Sequence, residues 1–186
     1  MNEKDSLLGF ALMGLLHERP QSGYDLRKVF AQTAMGSFSD SPGAIYPALR
    51  RLEKRGLVRG TVAESASSRK RRVFQVTANG LAELKAWLNR PVTRTDVMRG
   101  IGELMLRFAF MELALGAKRS AQFLKEYEEQ LAAYLPELRE FHNRQARSMR
   151  RSARLAFESG IEEYETRLRW ARGAQAEFRS TGRSKR

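Results

Sequence analysis

The sequence predicts a mostly α-helical protein in two parts: a winged helix-turn-helix with a two-stranded wing, followed by an all-helical domain. Three observations predict it. Apolar residues recur at helical spacing in four short segments of residues 1–91. Two β-prone segments joined by a polar loop fall between the third and fourth of these. Beyond Pro91 every periodic segment is helical and none reads as a strand.

Each element carries a local signal. Leu8, Leu12, Leu15 and Leu16 share one helix face, and Pro20 stops that helix. Ser22 offers an N-cap for a second helix over residues 22–34, with Leu26, Val29 and Phe30 at helical spacing. Residues 35–40, with Gly36 and two serines, read as a turn or loop. Ser41 is placed to cap the third helix, and Pro42 suits its first position, where no amide hydrogen is needed. Ile45, Leu49 and Leu52 then form its buried side, Gly56 ends it, and Leu57 packs beneath. Pro47 falls within the first turn or so, where a missing donor costs little. Residues 57–63 and 72–77 are β-prone, Phe74 and Val76 sharing a face, and residues 64–70 make the loop of a hairpin. Thr77 can cap a fourth helix carrying Leu81, Leu84, Trp87 and Leu88. This is the winged-helix order, although a helical hairpin followed by an unrelated small sheet gives the same string.

A linker over residues 91–96 separates an expected domain 1–91 from a second at 92–178, with a basic, disordered tail at 179–186. Ile101, Leu104, Met105, Phe108 and Leu115 form an apolar stripe. Leu124, Leu131 and Leu138 recur every seven residues, with Tyr127, Tyr134 and Phe141 each three further on. That is coiled-coil-like spacing, in which Pro136 is expected to kink or end the helix. A last helix carries Phe157, Ile161, Tyr164, Leu168 and Ala171 on one face.

Composition narrows the function classes. The 186 residues include 34 Lys and Arg against 21 Asp and Glu, a formal charge of +13. That surplus favours an anionic partner, nucleic acid ahead of a membrane surface. There is no cysteine, hence no disulfide scaffold, thiolate nucleophile or Cys-ligated zinc. The apolar run over residues 7–16 is too short to span a bilayer, and no signal-peptide pattern follows it. The expected location is the cytoplasm. His17 and His142 are the only histidines, neither beside a metal-like or nucleophile-like constellation, and no phosphate-binding Gly loop or HExxH helix occurs. No catalytic role, metal or cofactor is expected.

The outward side of the third helix carries the chemistry. Gly43, Tyr46, Pro47, Arg50 and Lys54 lie opposite the Ile45, Leu49 and Leu52 face. Small residues at its start let the helix end approach a phosphate or base edge. Tyr46 can donate to a phosphate or pack on a thymine methyl, and Arg50 can reach guanine with two hydrogen bonds. Arg51, Lys54 and Arg55 face the phosphate backbone. Arg69, Lys70, Arg71 and Arg72 make the hairpin loop and its descending strand a second basic element. Alternation sends Arg71 and Arg72 to opposite faces, which favours Arg69 and Lys70 as contacts. A solvated basic face and a charged hairpin tip are the plainer readings of the same residues. An RNA-binding or protein-binding winged helix uses the same scaffold, but the wing offers cations rather than stacking aromatics.

Gly14-Leu15-Leu16, Pro20 through Leu26 (PQSGYDL), Ser41 through Glu53 (SPGAIYPALRRLE), Gly56-Leu57-Val58 and Arg71 through Gly80 (RRVFQVTANG) together resemble the PadR family of transcriptional regulators. The resemblance covers residues 7–88, and the Ile-Tyr-Pro-Ala-Leu segment after Ser-Pro-Gly is its most specific part. The helical remainder, with Glu103 through Phe110 (ELMLRFAF), resembles the longer PadR type, whose C-terminal domain is similar to that of virulence activators. The resemblance implies a homodimer assembled through C-terminal helices and bound to a pseudo-palindromic double-stranded operator, usually as a repressor and sometimes as an activator. It places tyrosines at the positions of Tyr24 and Tyr46 near the DNA backbone, while on the residues themselves Ser41, Gly43 and Pro47 build and expose the helix end. Tyr24 is equally compatible with a core position. Relatives respond to small hydrophobic or phenolic compounds. Trp87, Phe108 and Trp170 are the candidate lining of such an effector site, although aromatic stripes also serve as plain core or dimer seam.

Overall fold

A computed structural model of the chain describes residues 3–38, 42–63 and 71–183. It divides into two compact units, Met1–Asn89 and Arg90–Arg186.

The first unit runs α1 (Glu3–Glu18), β1 (Gln21–Ser22), α2 (Gly23–Gln32), α3 (Ile45–Lys54), β2 (Val58–Ala63), β3 (Arg71–Val76) and α4 (Ala78–Leu88). Short 3-10 turns at Ala34–Phe38 and Pro42–Ala44 lie between α2 and α3. Ser22 caps α2 through a reciprocal box: its hydroxyl accepts the Asp25 N–H at 3.2 Å, and the Asp25 carboxylate accepts the Ser22 N–H. The helix ends at Gln32 rather than two residues later, because Thr33 turns extended.

The third helix starts later than its sequence signals suggest. Its N-cap is Ala44, which makes no side-chain cap, and the capping role expected of Ser41 lies outside the described residues. Pro47 accounts for the later start. With α3 beginning at Ile45, Pro47 is its third residue, where no intrahelical donor is required. An α-helix begun at Pro42 would instead put the Pro47 ring against the Gly43 carbonyl. At the other end Gly56 takes φ +71°, its N–H donating to the Glu53 carbonyl at 2.9 Å and the Leu57 N–H to Leu52 at 2.9 Å. This left-handed stop turns the chain into β2 and buries Leu57.

The sheet has three strands rather than two, in the order β1-β3-β2 and antiparallel throughout. Val58 pairs with Val76 and Ala63 with Arg71 across the hairpin, while Gln21 and Ser22 pair with Phe74 and Val73. Leu12, Leu26, Phe30, Ile45, Leu49, Leu52, Phe74, Leu84 and Leu88 close one core. Thr77 joins the end of α3 to the start of α4: its hydroxyl accepts the Gly80 N–H and donates to the Gly56 carbonyl at 2.7 Å.

The second unit contains α5 (Arg94–Arg99), α6 (Ile101–Leu115), α7 (Ala117–Gln145) and α8 (Arg151–Arg183). The segment expected as linker ends in helix, because Thr93 and Asp96 form a second capping box. α6 buries Leu104, Leu106, Phe110, Met111 and Ala114, a wider face than the expected stripe, together with Arg107. The Arg107 side chain donates to the Arg90 carbonyl and lies 5.2 Å from the centre of the Phe123 ring. Burial pulls its guanidinium below the usual arginine value, with Asp96 and Glu103 acting against the shift.

α7 continues through Pro136 instead of ending there. α7 and α8 form an antiparallel hairpin whose register is written in ring pairs: Phe141 on Phe157 at 5.4 Å, Tyr134 on Tyr164 at 5.2 Å, and Tyr127 on Trp170 at 6.4 Å. The sevenfold aromatic spacing of α7 is therefore matched within the same chain. The Arg139–Glu165 and Glu128–Arg172 ion pairs follow the same register. α8 is helical to Arg183 and so runs into the segment expected as a basic tail.

Candidate nucleic-acid interface

The outward face of α3 is built as its spacing requires. Ile45, Ala48, Leu49 and Leu52 are buried, which turns Tyr46, Arg50 and Lys54 to solvent with Gly43 before them. Tyr46 is 42% exposed, Pro47 half-buried, and Arg50, Arg51 and Lys54 exposed. Arg50 and Lys54 make no ion pair or hydrogen bond among the described residues. Arg69, Lys70 and Ser41 lie outside the described residues.

Tyr24 is not a core residue. It is 46% exposed on the first turn of α2, with the Lys28 ammonium 4.8 Å and the Arg27 guanidinium 5.6 Å from its ring centre. The start of α2 meets the first turn of α3 at Gly23, where a Cβ would stand 2.6 Å from Cε1 of Tyr46. Absence of a side chain at Gly23 thus lets the Tyr46 ring lie against the start of α2, and Tyr24 follows directly in sequence. Tyr24, Arg27 and Lys28 from α2 join Tyr46, Arg50 and Lys54 from α3 on one helix-turn-helix pair. Sequence reasoning missed Arg27 and Lys28. The available signal was their position one turn after Tyr24 on the first helix of the pair, the helix that crosses the backbone in such motifs.

The neighbouring arginines are used differently. Arg55 donates twice to Glu83 of α4, at 2.7 and 3.0 Å. Arg72 donates twice to Glu53 of α3, whose Oε1 also accepts the Gly60 N–H at 3.0 Å. Arg71 pairs with Asp25 and donates to the Ser22 hydroxyl at 2.7 Å. Partial burial raises the Asp25 pKa, but the Ser22 and Arg71 hydrogen bonds outweigh it and hold the carboxyl below its ordinary value. Arg71 and Arg72 thus do take opposite sides, as alternation requires, and each ties the wing to one helix of the pair. Arg55, expected to face phosphate, instead braces α3 against α4.

The effector candidates fall in both units. Trp87 is 5% exposed and stacks on Phe10 at 4.4 Å in the first unit's core. Phe108 and Trp170 meet in the second unit at 5.6 Å, edge to face, with Phe123, Phe178 and Tyr127 around them. Phe108 is half-buried and Trp170 is 41% exposed. Among the described residues no group of three or more His, Asp or Glu is placed to hold a metal, and no helix is long and apolar enough to cross a membrane.

Residues 12–86 match the PadR-like family of transcriptional regulators. The negative transcriptional regulator PadR of Bacillus subtilis is 25% identical over 132 residues, 71% of each chain. A probable transcriptional regulator of Mycobacterium tuberculosis is 29% identical over 93 residues, 50% of this chain and 49% of that one. Among solved structures, Bacillus subtilis PadR in complex with operator DNA is 24% identical with a TM-score of 0.42, over 92% of this chain and 97% of that one. The same protein in complex with p-coumaric acid is 22% identical, with a TM-score of 0.41, over 96% of this chain and 98% of that one. With a winged helix built on the matched segment, residues 12–86 form a domain of the PadR-like family of transcriptional regulators.

Proposed function

We propose that this protein binds a pseudo-palindromic duplex operator as a homodimer and represses transcription until a small hydrophobic or phenolic compound releases it. One observation carries the DNA-reading role. A single stripe of α3 leaves Tyr46, Arg50 and Lys54 open, while Arg55, Arg71 and Arg72 around it are engaged by carboxylates. Cations left unpaired where their neighbours are neutralised are the ones available to DNA. Arg50 takes the base-reading role, by two hydrogen bonds to guanine. Gly43 and Pro47 shape the helix end, and Tyr24, Tyr46, Arg51 and Lys54 take phosphates with Ser41. Arg69 and Lys70 of the wing loop take phosphates or the adjacent minor groove.

The homodimer is supported by α8. Among its described side chains only Ala171 and Gln175 are buried, while Leu155 and Trp170 are exposed and Phe157, Ile161 and Leu168 half-exposed. A 33-residue helix with so much open apolar surface is completed by a second copy. Two winged helices about a two-fold axis then double the base contacts and fix the half-site spacing. Repression is supported by the relative described as a negative regulator. The p-coumaric acid complex of that relative supports a phenolic effector, for which Phe108 and Trp170 are the candidate contacts.

Selection from a random duplex library tests the operator reading. A palindrome should emerge, and failure of any sequence to enrich overturns it. Arg50→Ala should cost roughly 1–3 kcal/mol on the selected operator and relax preference at one position per half-site. Equal losses on specific and random duplex overturn the base-reading role.

A further inference from the structure

We infer that the turn joining α7 to α8 is a second, sequence-independent contact surface for the phosphates of duplex DNA. The inference rests on the DNA-binding reading above but concerns the other unit. Between His142 and Ala156 the chain has five arginines, at 144, 147, 150, 151 and 154, and no carboxylate and no lysine. Two of the five are neutralised from the flanking helices: Arg144 by Glu140 at 3.0 Å and Arg154 by Glu158 at 2.7 Å. His142 also approaches Glu158, at 3.3 Å. Arg147, Arg150 and Arg151 are exposed and have no carboxylate partner among the described residues.

The turn holds these three charges together against their repulsion. The N–H groups of Ser148 and Met149 both donate to the Gln145 carbonyl, at 3.0 and 3.2 Å, and the Ser148 hydroxyl donates to it at 2.8 Å. Ala146 and Met149 are half-buried, which leaves the arginines as the outward side chains. Like charges so close cost free energy unless an anion offsets them. A surface serving solubility alone mixes both signs, as the i,i+4 pairs on the rest of α7 and α8 do.

The chemistry selects phosphate in a duplex backbone. Guanidinium forks fit phosphate oxygens, and three of them on one short turn suit a line of closely spaced phosphates. The nearest aromatics flank the turn, where Phe141 and His142 stack on Phe157. Residues 143–156 hold no ring on which an unpaired base could stack, which disfavours single-stranded RNA.

The test uses the full chain with Arg147→Gln, Arg150→Gln and Arg151→Gln combined. A control of equal charge carries Lys118→Gln, Lys125→Gln and Arg169→Gln. Binding is titrated with salt on a long random duplex and on the selected operator within it, after circular dichroism shows that both variants are folded. The turn variant should lower the magnitude of the log–log salt slope by about 2–3 per bound protomer on both duplexes, with operator preference unchanged. The control should lower it by distinctly less. Slopes equal to wild type, or equal in variant and control, overturn the inference while leaving operator selection intact. Failure of the wild-type chain to bind any duplex overturns both readings. Loss of binding to vesicles containing phosphatidylserine, or to single-stranded RNA, with duplex binding unchanged assigns the turn elsewhere and also overturns it.

Discussion

The two units use their aromatic residues in opposite ways. In the first, Trp87 and Phe10 stack inside a closed core, and three arginines cross-brace the wing and α4 to α2 and α3. In the second, ring pairs run along an α7–α8 seam whose outer edge stays open, with Phe141 and Trp170 both more than two-fifths exposed. The first unit packs most of its described apolar residues, Val62 at 65% exposed standing apart, and offers the polar stripe of α3. The second leaves apolar surface unfinished. Under the proposed function, the first unit presents its DNA contacts from a packed core and the second keeps apolar surface for another copy.

The largest expected effect breaks the first unit at its tightest point. A Cβ on Gly80 would stand 2.0 Å from the Leu57 carbonyl oxygen and 2.9 Å from its carbon. Those atoms are backbone, and Leu57 is pinned by its N–H to Leu52 and by the Thr77 N–H to its carbonyl. Neither side can yield without parting α4 from the end of α3. Gly80→Ala should destabilise the first unit by about 3 kcal/mol or more. Denaturation followed by Trp87 fluorescence in a Trp170→Phe background reads that unit alone. A midpoint unchanged from the background protein contradicts the close approach.

The same contrast explains what the sequence could reveal. Caps are local, so Ser22, Gly56 and Thr77 announced three helix boundaries correctly. The buried face of α3 was legible because one period covers its ten residues. β1 was not, because two residues have no period and only pairing with β3 makes them a strand. The roles of Arg71 and Arg72 depend on Asp25 and Glu53, distant in sequence, and a run of four basic residues looks uniform until those partners are placed. Pro136 announced a kink or an end, and the helix does not end there. In the second unit the heptad-like spacing was visible, but whether its partner is another copy or the next helix is a tertiary fact.

A smaller effect separates the units by pH. Tyr127 is 1% exposed, and burial pushes its phenol up to about 12, with the Arg167 charge acting the other way. The unfolded chain ionises this phenol near pH 10, before the folded one does. The stability it supplies is therefore complete below pH 10 and lost as pH rises from 10 to 12, on the order of 2 kcal/mol. Tyr127→Phe should flatten that loss in the second unit, followed by Trp170 fluorescence in a Trp87→Phe background. An equally steep loss in both proteins assigns the alkaline sensitivity to other groups.

The smallest effect tests whether the first unit's rigidity serves contact with DNA. Gly23 resembles Gly80 in crowding but not in what crowds it. Its added Cβ would stand 2.6 Å from the tip of the Tyr46 ring, an exposed side chain with room to turn away. Gly23→Ala should therefore leave unfolding stability within about 0.5 kcal/mol, yet displace Tyr46 from its place against Gly23. If Tyr46 donates to a phosphate, operator affinity should fall about fivefold, the worth of one net hydrogen bond. Tyr46→Ala should cost a similar amount, and adding Gly23→Ala to it should cost nothing further, because the ring that the methyl group displaces is already gone. Additive losses in the double variant would place the effect in the α2 backbone itself, and the Tyr46 hydroxyl would lose its assigned contact.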